Sequence, residues 1–265
     1  EIKPSLQSLQ AEFATGKTKS GKWRREQLTN FQRGLRNLLP ELCEAVMKDL
    51  GRDQFITEFF EVNPIFFALK DAIGNLDKWM KDQVVDTPVH LAPGKSRVRY
   101  EPLGVCLIFG SWNYPYFVTL KPLVQCIAAG NCAIIKPSEM SPATSSAMRK
   151  LVEEYLDPTA YKVIEGGVEV AIEITKQPFD LICFTGSTQK GRLVAEAAGR
   201  NLTPCLLELG GKCPAIVDAS TDIDFAAEKV CFARYVNAGQ TCVSTDYVLV
   251  HESIAQRFVD RLMHQ

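Results

Sequence analysis

Gly104-Val105-Cys106-Leu107-Ile108-Phe109-Gly110, then a helix-length interval, then Cys132-Ala133-Ile134-Ile135-Lys136: this stretch decides how the chain folds. Each apolar run is short and unbroken and is bounded by glycine or charge. That is the texture of a strand covered on both faces, not of a strand with one wet side. Residues 119–129 between them read as a helix. The alternation continues with a helix at 142–156, a strand at 161–165, a helix at 167–175, a strand at 181–184, a helix at 190–198 and a strand at 204–209. Strands separated by single helices predict βαβ units and a parallel sheet. Right-handed crossovers then make a doubly wound α/β fold.

Outward from this core, the first eighty residues are helical in pattern. Leu6, Leu9 and Phe13, then Leu28, Phe31, Leu35 and Leu38, then Leu42, Val46, Met47 and Leu50 recur at helical spacing. Residues 55–80 read as one further helix with a kink at Pro64. Residues 87–94 break the helical pattern. Beyond Gly210 a second unit begins, with strands at 214–218 and 247–251 and helices at 222–235 and 253–263. Two strands and two helices make a poor independent core. The expected organisation is therefore a domain over 1–209 and the incomplete beginning of a second over 210–265.

The 265 residues are 46% hydrophobic and 23% charged, an ordinary globular composition. Thirty basic residues against thirty-one acidic ones leave no electrostatic footprint for nucleic acid. The basic run Lys19 to Arg25 reads as a solvated helix start. Nine cysteines occur, an odd count without a Cys-x-x-Cys pair, so neither a zinc framework nor a disulfide scaffold is expected. Most sit in apolar runs and read as small core residues, which favours a reducing, intracellular (cytoplasmic) setting. His90, His251 and His264 show no metal spacing and read as structural or surface residues. No run is apolar enough to span a bilayer. Residue 1 is Glu, so targeting information is expected to lie outside the sequence, as is any C-terminal membrane anchor.

Several polar positions stand out. Cys242 lies in Asn237-Ala238-Gly239-Gln240-Thr241-Cys242, a polar, glycine-containing loop, where a thiol is open to react. Glu208 lies within Leu206-Leu207-Glu208-Leu209, and a charge in an apolar run is costly to bury unless it is paired or functional. Burial would also tune such a carboxylate toward general-base work. Asn113, in Ser111-Trp112-Asn113-Tyr114-Pro115 after the first strand, is either an oxyanion donor or a turn asparagine. Lys136 and Glu139 end the second strand, where ligands of open α/β sheets gather; they contact a ribose or are simply solvated. Gly186-Ser187-Thr188-Gln189-Lys190-Gly191 leads a strand into a helix, a common turn that also suits a phosphate.

Seven short motifs occur here in one order. They are Glu101-Pro102-Leu103-Gly104-Val105, Trp112-Asn113-Tyr114-Pro115, Ala128-Ala129-Gly130-Asn131, Lys136-Pro137-Ser138-Glu139, Phe184-Thr185-Gly186-Ser187-Thr188, Leu207-Glu208-Leu209-Gly210-Gly211-Lys212 and Gly239-Gln240-Thr241-Cys242. In that order they resemble the aldehyde dehydrogenase superfamily over nearly the whole chain, and most closely its class 3, or fatty-aldehyde, branch. The resemblance implies an α/β fold with a helical N-terminal region, a Rossmann-type parallel-sheet domain and the start of a second α/β catalytic domain. It implies that Cys242 attacks an aldehyde, that Asn113 and the Cys242 backbone N–H hold the oxyanion, and that Glu208 activates water. It implies NAD or NADP as cofactor, with Trp112, Lys136, Glu139, Gly186, Ser187 and Gly191 as its binding residues, no metal, and a homodimer in the full-length protein. Substrates would be medium or long aliphatic, or aromatic, aldehydes. Two rival readings remain at this stage: a non-catalytic dinucleotide-binding or interaction module, and an acyl transfer in which coenzyme A rather than water takes the thioester.

Overall fold

The computed structural model of the chain describes residues 2–265. The chain divides into two compact units. The first runs to Thr185 and resumes over Gln189–Glu208; the second comprises Gly186–Thr188 and Leu209–Gln265.

The first unit opens with helices α1 (Ile2–Ala14), α2 (Gly21–Asn37), α3 (Leu39–Leu50) and α4 (Gln54–Thr57). The chain passes from α4 through a π-helical turn, Glu58–Val62, into α5 (Asn63–Trp79). The kink expected at Pro64 is therefore corrected to a π turn just before it. Proline cannot donate to the carbonyl one turn back, and its ring crowds that carbonyl. The wider turn accommodates this, and Pro64 sits in the first turn of α5. The expected solvated helix start at 19–25 is also only partly found. Ser20 accepts from the Trp23 N–H as the N-cap of α2, but Arg24 is buried, its Nε 2.9 Å from the Thr18 carbonyl and its Nη1 3.1 Å from that of Ala128.

Strands β1 (Gln83–Val85) and β2 (Ser96–Val98) pair antiparallel as a separate ribbon around the 87–94 break. Hydrogen bonds from Arg99 and Arg97 hold the Asp82 carboxyl well below the usual carboxylate range. The ribbon was not legible in the sequence, since its side chains are largely exposed and carry no apolar alternation.

The doubly wound sheet follows. Strands β3 (Val105–Phe109), β4 (Cys132–Lys136), β5 (Tyr161–Val163), β6 (Leu181–Gly186) and β7 (Cys205–Leu209) stand in the order β5-β4-β3-β6-β7. The pairs β3–β4, β3–β6 and β4–β5 are parallel. Helices α6 (Phe117–Ala129), α7 (Pro142–Tyr155), α8 (Val168–Thr175) and α9 (Thr188–Gly199) connect them. Every residue of β3 and β4 is buried, as their unbroken apolar runs require. Helices α1 and α6 both pack on this pair, while α2, α3 and α5 pack against α6 and α7. Leu28, Phe31, Leu35, Leu42, Ile65, Leu69 and Leu76 are fully enclosed between these layers, each contributing about 1.5–3 kcal/mol of apolar burial.

In the second unit β8 (Pro214–Val217) and β9 (Tyr247–Val250) pair in parallel, with α10 (Ile223–Tyr235) between them in sequence and α11 (Ala255–Leu262) after. Its core is Val217, Ala226, Ala227, Ile254 and Phe258. Asp222 caps α10 through the Asp224 and Phe225 N–H groups at 3.0 and 3.1 Å. Among the described residues no helix is long and apolar enough to cross a membrane.

Gly34 lets α2 approach α7. A Cβ there would stand 2.6 Å from the Tyr155 ring and 2.7 Å from Leu151. Gly34→Ala is expected to lower stability by about 1–3 kcal/mol, because overpacking outweighs the gain in helix propensity. A denaturant midpoint unchanged from the parent would contradict this close approach.

Candidate active site

From β3 the chain turns to β4 on one side and later crosses to β6 on the other. The reversal makes the carboxyl edge of β3 a topological switch point, the place where open α/β sheets bind ligands. Phe109 of β3 is in register with Lys136 of β4, and the Gly110 N–H donates to the Lys136 carbonyl at 3.0 Å. Gly110 is required here, because a Cβ would collide with the buried Thr119 side chain of α6. The turn that follows carries Ser111, Trp112 and Asn113, all half-buried. The Ser111 hydroxyl donates to Asn113 Oδ1 at 2.6 Å. That bond fixes the rotation of the Asn113 amide, a group whose nitrogen is a hydrogen-bond donor.

Beneath this turn lies a pair that the sequence reading did not single out. Glu61, on the π turn, has no exposure and is ion-paired with the buried Arg52. Its Oε2 accepts from the Tyr116 and Phe117 N–H groups at 2.7 and 3.1 Å. Arg52 donates from Nη1 to the Asn113 carbonyl at 3.3 Å, and its guanidinium lies 5.0 Å from the Tyr114 ring centroid. Burial pushes the Glu61 carboxyl up to about 7, against the pull of Arg52 and the two backbone donors. The available signal was a glutamate inside the apolar helical stretch 55–80, the same argument applied to Glu208.

Lys136 is buried, so the reading of two solvated charges fails for it. Its ammonium donates to the Pro137 carbonyl at 2.9 Å and to Glu139 Oε2 at 3.3 Å, while Glu139 is exposed. Burial lowers the Lys136 pKa from the usual lysine range, with Glu139 opposing. The amides opening α7 are already taken, since the Asp49 carboxylate accepts from Ala143 and Thr144 at 3.1 and 2.7 Å. At β6, Gly186 closes the strand, Ser187 is exposed before α9, and Gly191 is buried in that helix.

Glu208 departs from expectation. It lies in β7, the outermost strand beside β6, and is exposed rather than buried. Cys242 lies in the second unit, in the turn after a short 3₁₀ segment, Val236–Gly239. Asn237 and Ala238 there adopt left-handed conformations, with φ of 55° and 56°. Asn237 and Gln240 clamp each other, Nδ2 to carbonyl at 3.2 Å and Nε2 to carbonyl at 2.9 Å. The buried Ser244 donates to the Ala233 carbonyl at 3.1 Å, and the Cys213 thiol contacts the Cys242 carbonyl at 3.3 Å. Among the described residues Cys242 is the only exposed cysteine. Cys43, Cys106, Cys126, Cys132 and Cys183 are buried, as their apolar settings predicted. Burial pushes the Cys43 and Cys183 thiols up to about 11 and that of Cys132 up to about 12, which holds them as unreactive thiols near neutral pH.

The profile of the aldehyde dehydrogenase family matches residues 1–265. The chain belongs to the aldehyde dehydrogenase family. It is 40% identical over 261 residues to the 4,4'-diaponeurosporen-aldehyde dehydrogenase of Staphylococcus aureus, covering 98% of this chain and 57% of that protein. It is 37% identical over 261 residues to a Rattus norvegicus aldehyde dehydrogenase named as dimeric and NADP-preferring, covering 98% and 58%. A solved structure of Staphylococcus aureus AldH in its substrate-bound state superposes with a TM-score of 0.97 at 39% identity, covering all of this chain and 58% of that one. The chain thus spans somewhat over half the length of these relatives.

Lys136 supplies a measurable sign. A lysine whose folded-state pKa is lowered holds fewer protons when folded than when unfolded, between that value and the ordinary 10.5. Its contribution to stability therefore rises with pH across that window. The stability of the parent minus that of Lys136→Met, from denaturant titrations between pH 7 and 10.5, is expected to increase with pH. A difference that stays flat or falls would contradict burial of the charged form.

Proposed function

We propose that this chain contributes the cofactor domain and the nucleophile of an NAD(P)+-dependent aldehyde dehydrogenase, which oxidises aldehydes to carboxylic acids. The observation that carries the reading is the contrast among the cysteines of a family member. The one exposed thiol lies in the loop that holds the family's Gly-Gln-Thr-Cys motif, while the others are wholly or partly enclosed.

The groups at the carboxyl edge of the sheet suit a dinucleotide. A buried lysine beside an exposed carboxylate can take a ribose diol from both a donor and an acceptor. The β6–α9 turn, with Gly186 and Ser187, offers backbone donors to a diphosphate, and the buried Gly191 permits close packing of α9. Trp112, half-buried at the end of β3, lies on the same edge. When bound, NAD(P)+ supplies the hydride acceptor.

The chain's own residues do the remaining work. The Cys242 thiolate adds to the aldehyde carbon, and the carbonyl oxygen becomes an oxyanion. The Asn113 Nδ2–H and the Cys242 N–H donate to it. Loss of hydride from that carbon restores the carbonyl as a thioester. Glu208 takes a proton from water as the water attacks, the carbon–sulfur bond breaks, and Cys242 leaves as thiolate. Medium or long aliphatic and aromatic aldehydes are the substrate class we infer, from the class 3 character of the sequence. The homodimer is likewise inferred, in keeping with the rat relative's name. The free cysteines support a reducing, intracellular compartment.

In the intact protein Cys242→Ala is expected to reduce aldehyde-dependent NAD(P)H formation by at least about a thousandfold, with cofactor binding retained. Glu208→Gln is expected to leave the first-turnover burst while slowing steady-state turnover about ten- to a hundredfold. Undiminished turnover in the Cys242 variant would refute the nucleophile assignment. Cofactor-dependent thermal stabilisation of the parent without turnover on any aldehyde would favour a purely dinucleotide-binding role.

A further inference from the structure

We propose that the buried Arg52–Glu61 pair is a positioning device for the Asn113 turn, acting on the reaction through Asn113 and never touching the aldehyde. The inference rests on the oxyanion role given to Asn113 above.

The geometry is one-sided. Glu61 is fully enclosed, and each of its oxygens is committed: Oε1 to Arg52, Oε2 to the Tyr116 and Phe117 N–H groups. Arg52 uses the same guanidinium for the Asn113 carbonyl and covers the Tyr114 ring. The two side chains therefore hold residues 113, 114, 116 and 117, which is the turn between β3 and α6 on both sides of Pro115. Ser111 fixes only the rotation of the Asn113 amide about its own side chain. The place of its backbone is set from below. The Tyr116 hydroxyl, 3.1 Å from the Leu42 carbonyl of α3, adds a third tie from the helical layer.

The carrier of Glu61 matters too. Residues 58–62 form a π turn, a helical irregularity frequent at functional sites. A regular α-helix rotates each residue by about 100° around the axis, so the wider turn re-aims the residues that follow it. An oxyanion donor must sit about 2.7–3.1 Å from the oxygen it stabilises, and misplacement by about 1 Å can cost about a hundredfold in rate.

A double-mutant cycle on the hydride-forming burst tests this, with single-turnover NAD(P)H formation as readout in the intact protein. Glu61→Gln keeps a carbonyl-type acceptor for the two backbone N–H groups but sets an amide against Arg52. It is expected to slow the burst about tenfold or more, with cofactor affinity within about twofold of the parent. In the Asn113→Ala background the same change should slow it no further. Arg52→Lys, which keeps a buried cation for Glu61 while losing the planar fork, should repeat the pattern and serves if Glu61→Gln does not fold. Equal slowing in both backgrounds would overturn the inference while leaving the role of Asn113 intact. So would a lowered melting temperature with an unchanged burst. A normal burst in Asn113→Ala alone would instead remove the oxyanion reading, and the inference with it.

Discussion

A carboxylate with no access to water sets the strictest condition in this fold. Glu61 is wholly enclosed, and an enclosed charge is tolerated only when it is paired and its lone pairs are filled. Meeting that condition recruits Arg52 from just beyond α3 and the two amides that open α6. The opposite end of α6 is met by a second buried charge, since Arg24 of α2 donates to the Ala128 carbonyl. A negative group at the amides and a positive one at the carbonyls both favour the helix dipole. The N-terminal helices therefore hold the helix behind the switch point at both ends. That is a physical reason for a dinucleotide-type sheet to carry a helical layer of this kind.

The sheet was legible because its central strands obey a simple rule. Cys106 to Phe109 and Ala133 to Ile135 are buried on both faces, and unbroken apolar runs announce that. The helices around them were legible from their spacing. The β1–β2 ribbon was not, because Val84, Val85 and Val98 are exposed and no alternation marks a covered face. The π turn was also hidden, since Pro64 signals an irregularity without saying on which side it falls.

At the site, the argument from a charge in an apolar run meets two different surroundings. Glu208 lies in an edge strand and is exposed, whereas Glu61, in an apolar helical stretch, is the enclosed carboxylate. Sequence periodicity alone does not separate an edge strand from a central one, and pairing order decides it. Lys136 was found through its position at a strand end, but its burial follows from the register with Phe109, and its ammonium is satisfied by donating to the Pro137 carbonyl.

Cys242 differs from the buried cysteines in its setting. Ordinary packing encloses small sulfur side chains, and five other cysteines here obey. In the loop before Cys242, Asn237 and Ala238 stand in left-handed conformations. Asparagine tolerates this, while alanine costs about 1–2 kcal/mol. The Asn237–Gln240 clamp and the buried Ser244 hydroxyl offset that cost locally, each hydrogen bond contributing about 1 kcal/mol. The turn that carries Cys242 thus balances backbone strain against side-chain hydrogen bonds.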